Sequence, residues 1–274
     1  LTPKEKYERL QSYLQELGSL AVAFSGGVDS TFLAKTAHDV LGGRAIAVTA
    51  TSPTHPQREL DDAQELTASI GIRHVTEPTD ELEREEFVSN PPDRCYHCKR
   101  IIFSKVKEVA HAHDLQHVAD GSNLDDTGDF RPGMRAAAEL GILSPLKEMG
   151  ITKAEIRELS REFGLPTWQK PAFACLATRF PYGQRITEAG LLMVDAAEDY
   201  LLSLGFTQLR VRNHDGLARI EVRAEDIGRF FEESLLEPVA RKFEEIGFTY
   251  VTLDLSGYST GSMNKTLAEE HAER

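Results

Sequence analysis

Apolar residues recur at Tyr7, Leu10, Leu14 and Leu17 in a charged background, the three-and-four spacing of one helix face over 1–16. An unbroken apolar run at 20–24 follows and stops at Ser25-Gly26-Gly27; Phe32, Leu33, Ala37 and Val40 then return at helical spacing as far as Gly42-Gly43. Run, turn and periodic stretch predict strand, tight loop and helix. The alternation continues with a strand at 45–49, a helix at about 57–70, a strand at 73–75, a helix near 99–111 and a strand at 117–119. Strands alternating with helices in this way pair in parallel, so the pattern predicts a doubly wound α/β sheet. Thr152-Lys153-Ala154-Glu155 reads as a capping box opening a helix through Phe163, which Gly164 and Pro166 stop.

Between 165 and 185 the periodicity disappears, and Pro166, Pro171, Pro181 and Gly183 punctuate the chain. The domain boundary is placed there, giving a nucleotide domain over 1–185 and a smaller α+β domain over 186–274 for substrate or oligomerisation. In the latter the pattern predicts a helix at 187–204, strands at 209–214 and 217–222, a helix at 224–246 and a strand at 250–255. Alternation in 209–214 puts Arg210, Arg212 and His214 on one face and Leu209 and Val211 on the other. Solvent exposure accounts for such a face in most antiparallel sheets, while converging cations also suit an anionic ligand. The tail at 265–274 is expected to fray.

Composition narrows the function. The 274 residues carry 44 acidic and 31 basic side chains, a net charge of -13, which disfavours nucleic acid and favours a small substrate. No apolar run approaches the ~20 residues of a membrane span, and the charged start is unlike a secretory signal, so no membrane partner and a cytoplasmic location are expected. Three cysteines, Cys95, Cys98 and Cys175, suit no disulfide framework and point to chemistry.

Ser25-Gly26-Gly27-Val28-Asp29-Ser30 lies between the first strand and its helix, where free N–H groups and the positive helix end attract an anion. Two glycines allow close backbone approach, and the hydroxyls of Ser25 and Ser30 add donors. No G-x-x-x-x-G-K-[ST] occurs, so transfer of a terminal phosphoryl group in the P-loop manner is not expected. Asp29 beside phosphates calls for a divalent cation, Mg2+ by its preference for oxygen ligands. Asp120-Gly121-Ser122-Asn123-Leu124-Asp125-Asp126 follows the fourth strand and reads either as carboxylates for metal or substrate or as an Asx-rich turn. The six-residue loop resembles the S-G-G-x-D-S signature of the PP-loop ATP pyrophosphatases. That resemblance implies binding of ATP, attack of a substrate oxygen on the α-phosphate, and release of pyrophosphate.

Cys95-Tyr96-His97-Cys98 is a C-x-x-C in a loop running into a helix, with Cys175 far downstream. Three thiolates can hold three irons of a 4Fe-4S cluster and leave the fourth open; a closed zinc site would need a fourth ligand such as His97. A thioredoxin-like dithiol and three unrelated thiols are the other readings. Phe130-Arg131-Pro132-Gly133, the run from Cys175 through Arg179 to Gly183, the strand 209–214 and the stretch from Ser256-Gly257-Tyr258 to Asn264 resemble the LarE family of ATP-dependent sulfur transferases over nearly the whole chain. The resemblance implies adenylation of pyridinium-3,5-dicarboxylate mononucleotide and conversion of its carboxylates to thiocarboxylates for a nickel-pincer cofactor. It also implies that Arg179, Arg210 and Arg212 contact the substrate and that the protein is a homo-oligomer. Members with one cysteine give up that sulfur themselves; the added Cys95 and Cys98 resemble three-cysteine members, implying a 4Fe-4S cluster with Cys175, while the sacrificial mode stays open. A PP-loop tRNA 2-thiolase is the main rival, an amide-forming ligase and a nucleotide sensor the lesser ones.

Overall fold

A computed structural model describes residues 1–128, 132–171, 174–232 and 234–259. Along the chain run α1 (Pro3–Leu17), β1 (Leu20–Ala23), α2 (Val28–Leu41), β2 (Ala45–Thr51), α3 (Gln57–Ile70), β3 (Arg73–Pro78), the one-turn α4 (Glu85–Val88), α5 (Arg94–Ala112), β4 (Val118–Ala119), α6 (Pro132–Glu139), the one-turn α7 (Pro145–Glu148) and α8 (Lys153–Glu162). After them come α9 (Glu188–Ser203), β5 (Leu209–His214), β6 (Leu217–Val222), the short α10 (Arg229–Glu232), α11 (Leu236–Ile246) and β7 (Tyr250–Leu253). Backbone contacts divide the chain into two units, Leu1–Glu81 with Asp93–Phe173, and Leu82–Pro92 with Ala174–Arg274. The later of these breaks falls inside the aperiodic interval 165–185.

In the first unit four parallel strands take the order β3-β2-β1-β4. Both faces are covered, and the side-chain alternation of each strand shows how. Leu20 and Val22 of β1 and Ala45 and Ala47 of β2 pack with Leu10 and Leu14 of α1, Phe32 and Leu33 of α2, and Ile156 and Leu159 of α8. The intervening Ala21, Ile46 and Val48 pack with Phe103 and Val106 of α5 and Ala137 of α6. The result is the doubly wound α/β layering that the pattern predicts. The strand order reverses between β1 and β4, so the chain leaves these neighbours towards opposite faces and opens a crevice at their carboxyl ends.

The second unit carries a three-stranded sheet, β5-β6-β7, antiparallel between β5 and β6 and parallel between β6 and β7. Two expectations need correction. The helix expected at 224–246 is broken into a turn, α10 and α11, because Ser234 takes a left-handed φ of 55° and Pro238 is tolerated only in the first turn of a helix. The strand expected at 250–255 ends at Leu253: the Asp254 N–H makes the last bond to β6, to the Ile220 carbonyl at 2.9 Å, and the chain then turns, with the Ser256 N–H on Asp254 Oδ1 at 2.9 Å and the Gly257 N–H on the Asp254 carbonyl at 3.1 Å. Among the described residues no helix is long and apolar enough to cross a membrane.

Candidate active site

The crevice between β1 and β4 is a cavity of about 500 Å3. Ser25, Gly27, Asp29 and Ser30 line it from the β1 side, Asp120, Gly121, Ser122 and Asp126 from the β4 side, and Cys95, Lys99, Pro132 and Gly133 from α5 and α6. The predicted loop and the predicted acidic turn therefore meet at one place. Gly26 sits at φ +67°, where a side chain is strained, and Gly27 is the N-cap of α2 with no side-chain cap, leaving the first N–H groups of the helix for an anion. The loop is braced from within: the Ser30 hydroxyl donates to the Gly27 carbonyl at 3.2 Å and accepts from the Ser25 N–H at 3.3 Å. Gly121 brings the two strand ends together, since a Cβ there would lie 2.9 Å from the Ser30 nitrogen and 3.2 Å from the Asp29 carbonyl carbon.

Asp29 is the most charged feature of the loop. Burial raises its carboxyl above the ordinary aspartate range, against the pull of Lys153. Lys153 donates to Oδ2 at 2.5 Å, while Oδ1 is buried with no hydrogen-bond partner. Asp29 lines the cavity, and a carboxylate with one oxygen left unpartnered fits a hard cation such as Mg2+, which takes one or two carboxylates and completes its shell with phosphate and water. Asp120 is held by the hydroxyls of Ser122 (2.7 Å) and Ser144 (2.8 Å), and Asp126 accepts the Asn123 N–H at 2.9 Å, so the acidic turn is both an Asx-rich turn and a cavity wall.

The cysteines are placed differently from the sequence expectation. Cys95 and Cys98 lie in the first turns of α5 instead of a loop before it, because the helix already starts at Arg94, straight after Pro91-Pro92-Asp93. They stand three residues apart on one helix face, Cys95 exposed and on the cavity wall. Cys175 belongs to the second unit and caps the short turn Leu176–Arg179. None of the three is in a disulfide, and among the described residues no three His, Cys, Asp or Glu side chains are grouped to hold a metal ion. His97 lies 3.6 Å from Asp93.

Arg210 and Arg212, whose face could have met either solvent or an anionic ligand, are buried, as is Arg179. Arg212 bonds to Glu221 at 2.7 Å and to the Thr178 carbonyl at 3.0 Å, and Arg210 lies 5.2 Å from the Tyr258 ring centre. Their strand face is covered by the 176–179 turn rather than by water, and the partially desolvated guanidiniums are paired for that reason. Arg179 is fully buried: Nε and Nη2 meet both oxygens of Glu198 at 2.9 Å, and Nη1 donates to the carbonyls of Ala174 (2.7 Å) and Cys175 (3.2 Å). It thus fixes the backbone that carries Cys175. His214 points from the same strand face, its pKa lowered by burial and by Arg219 and Arg212.

Sequence reasoning overlooks Lys153 and Lys99. Lys153 reads as part of a capping box, yet a lysine in the first turn opposes the helix dipole, a signal that some carboxylate holds it there. Of the stretches that carried the family resemblance, Phe130, Arg131 and the part beyond residue 259 lie outside the described residues, as does the tail.

The chain is similar to known proteins over most of its length. The family described as asparagine synthase matches residues 10–123, which span the loop, α5 and the start of the acidic turn. Over 266 residues the chain is 45% identical to the uncharacterized protein slr1717 of Synechocystis sp., covering 97% of this chain and 99% of that one. It is 39% identical over 265 residues to the pyridinium-3,5-bisthiocarboxylic acid mononucleotide synthase of Lactiplantibacillus plantarum, covering 96% and 95%. An uncharacterized protein of Methanocaldococcus jannaschii is 28% identical over 239 residues, covering 87% of this chain and 90% of its own.

Proposed function

Because the chain belongs to the LarE family of ATP-dependent sulfur transferases, we propose that it adenylates the carboxylates of pyridinium-3,5-dicarboxylate mononucleotide and replaces an oxygen of each with sulfur. The observation that carries the adenylation step is the braced Ser25–Ser30 loop, with uncapped N–H groups at the start of α2 and the incompletely partnered Asp29 carboxylate lining the same cavity. In this reading Ser25, Gly26, Gly27 and Ser30 hold the phosphates, and Asp29 would hold Mg2+, which would supply charge neutralisation for the pyrophosphate. A carboxylate oxygen attacks the α-phosphorus, the bond to the β-phosphate oxygen breaks, and an acyl adenylate and pyrophosphate form. A sulfur nucleophile then attacks the acyl carbon and AMP leaves.

Arg210 and Arg212 bind the anionic substrate, and Arg179 acts by holding the Cys175 backbone. For sulfur delivery the proposal is a 4Fe-4S cluster on Cys95, Cys98 and Cys175, supported by their number, the C-x-x-C spacing and the position of Cys95 beside the nucleotide cavity. Such a cluster, held by the three thiolates, would leave one iron open to supply sulfide. Exposed Leu192, Phe231, Leu236 and Tyr250 in the second unit support self-association.

Two measurements on anaerobically purified protein test the reading. Pyrophosphate release should depend on the dicarboxylate nucleotide and fall by about 100-fold or more in Asp29→Asn; release without that substrate, or undiminished in the variant, contradicts adenylation at this loop. Alanine at Cys95, Cys98 or Cys175 should each remove bound iron and sulfide and stop sulfur transfer while pyrophosphate release continues. If only Cys175 matters and the protein loses one sulfur's mass in a turnover, Cys175 is the sacrificial donor.

A further inference from the structure

The ion pair between Lys153 and Asp29 joins the start of α8 to the nucleotide loop across the carboxyl edge of the sheet. We propose that Lys153 is the counter-cation of Asp29 in the nucleotide-free protein, is displaced when the divalent cation binds that carboxylate, and then turns its ammonium onto the phosphates. This rests on the nucleotide-site reading above and adds a residue to it.

The backbone of Lys153 is fixed from two directions. Thr152 and Glu155 close a capping box around it, and its own N–H donates to Asp125 Oδ2 at 2.7 Å. The side chain is not fixed in the same way: it is about a third exposed, and its ammonium sits on Asp29 Oδ2 at the end of a four-carbon stem. Held at a helix N-terminus, where the dipole disfavours a cation, it stays near the loop because of the carboxylates there. The neighbouring cation Arg157 is committed elsewhere, to the carbonyls of Trp168 and Lys170. A divalent cation on Asp29 competes directly with the ammonium, since both need the same carboxylate charge. Bound triphosphate then offers the displaced ammonium an anion within the same cavity, and a cation there favours departure of pyrophosphate.

The exchange predicts opposite signs for two binding measurements. Mn2+ serves as the probe of the divalent site and α,β-methylene-ATP as a nucleotide that cannot release pyrophosphate. In the nucleotide-free protein Lys153→Met should bind Mn2+ about 3- to 10-fold more tightly than wild type, because a competing, partly exposed cation is gone. At saturating Mn2+ the same variant should bind the nucleotide about 10-fold more weakly, having lost a phosphate partner. Lys153→Arg, which keeps the charge, should leave the Mn2+ affinity near wild type and guards against a misfolded Met variant. Weaker or unchanged Mn2+ binding in Lys153→Met overturns the exchange and leaves the nucleotide loop standing. If Asp29→Asn binds Mn2+ and nucleotide as wild type does, the loop assignment itself fails and the exchange with it.

Discussion

Glu198 is almost wholly buried and yet ionised. Burial alone would raise its pKa, but the Arg179 guanidinium, the Val211 N–H at 3.0 Å and Arg210 outweigh that and hold it below the ordinary value of 4.5. A lowered folded pKa means that the stabilisation is complete above 4.5 and is lost as the pH falls through the folded value. Glu198→Gln should therefore be less stable than wild type at pH 7, by about 3 kcal/mol, and the gap should close as the pH drops below 4.5. Urea unfolding at pH 7 and pH 3.5 checks this; a constant gap would mean that the pair contributes through shape alone. Arg179 was legible as a residue of interest only through the family resemblance, since nothing in its local sequence announces a carboxylate nineteen residues on. Arg210 and Arg212 were legible as sharing a face, but period-2 alternation does not reveal whether that face meets water or a covering turn.

At the scale of elements, the strand-loop-helix of β1 and α2 was readable because an apolar run, two glycines and a periodic helix are all local signals. The contact with the β4 turn was not, since it depends on strand order. The two glycines on either side of that contact should behave differently. Gly27 has an ordinary backbone conformation, and an added Cβ would meet only the Ser25 hydroxyl at 3.4 Å. Gly27→Ala should fold normally and lose pyrophosphate release, because its methyl intrudes on the phosphate side. Gly121→Ala would instead press on the Ser30 and Asp29 backbone and should cost about 1–3 kcal/mol of stability as well as activity. Thermal unfolding of both variants separates the cases; equal stabilities would mean that the strand ends can part without cost. The start of α5 is not legible because Cys-Tyr-His-Cys has no apolar period.

For the whole molecule, the doubly wound order β3-β2-β1-β4 puts the β1 loop and the β4 turn at the same switch point, and that is the reason a motif readable in six residues becomes a site. The net charge of -13 bears on the same conclusion: Asp29, Asp120 and Asp126 already crowd the cavity, so an added polyphosphate requires a divalent cation. The sequence could not show that a lysine holds one of these carboxylates meanwhile. The central claim is that ATP is spent on making a carboxylate reactive. It is tested most directly with substrate labelled with 18O in its carboxylates, followed by mass spectrometry of the nucleotide products. The expected result is one 18O in the phosphate of AMP for each thiocarboxylate formed, with unlabelled pyrophosphate. Label absent from AMP, or ADP and phosphate as the products, would contradict the account.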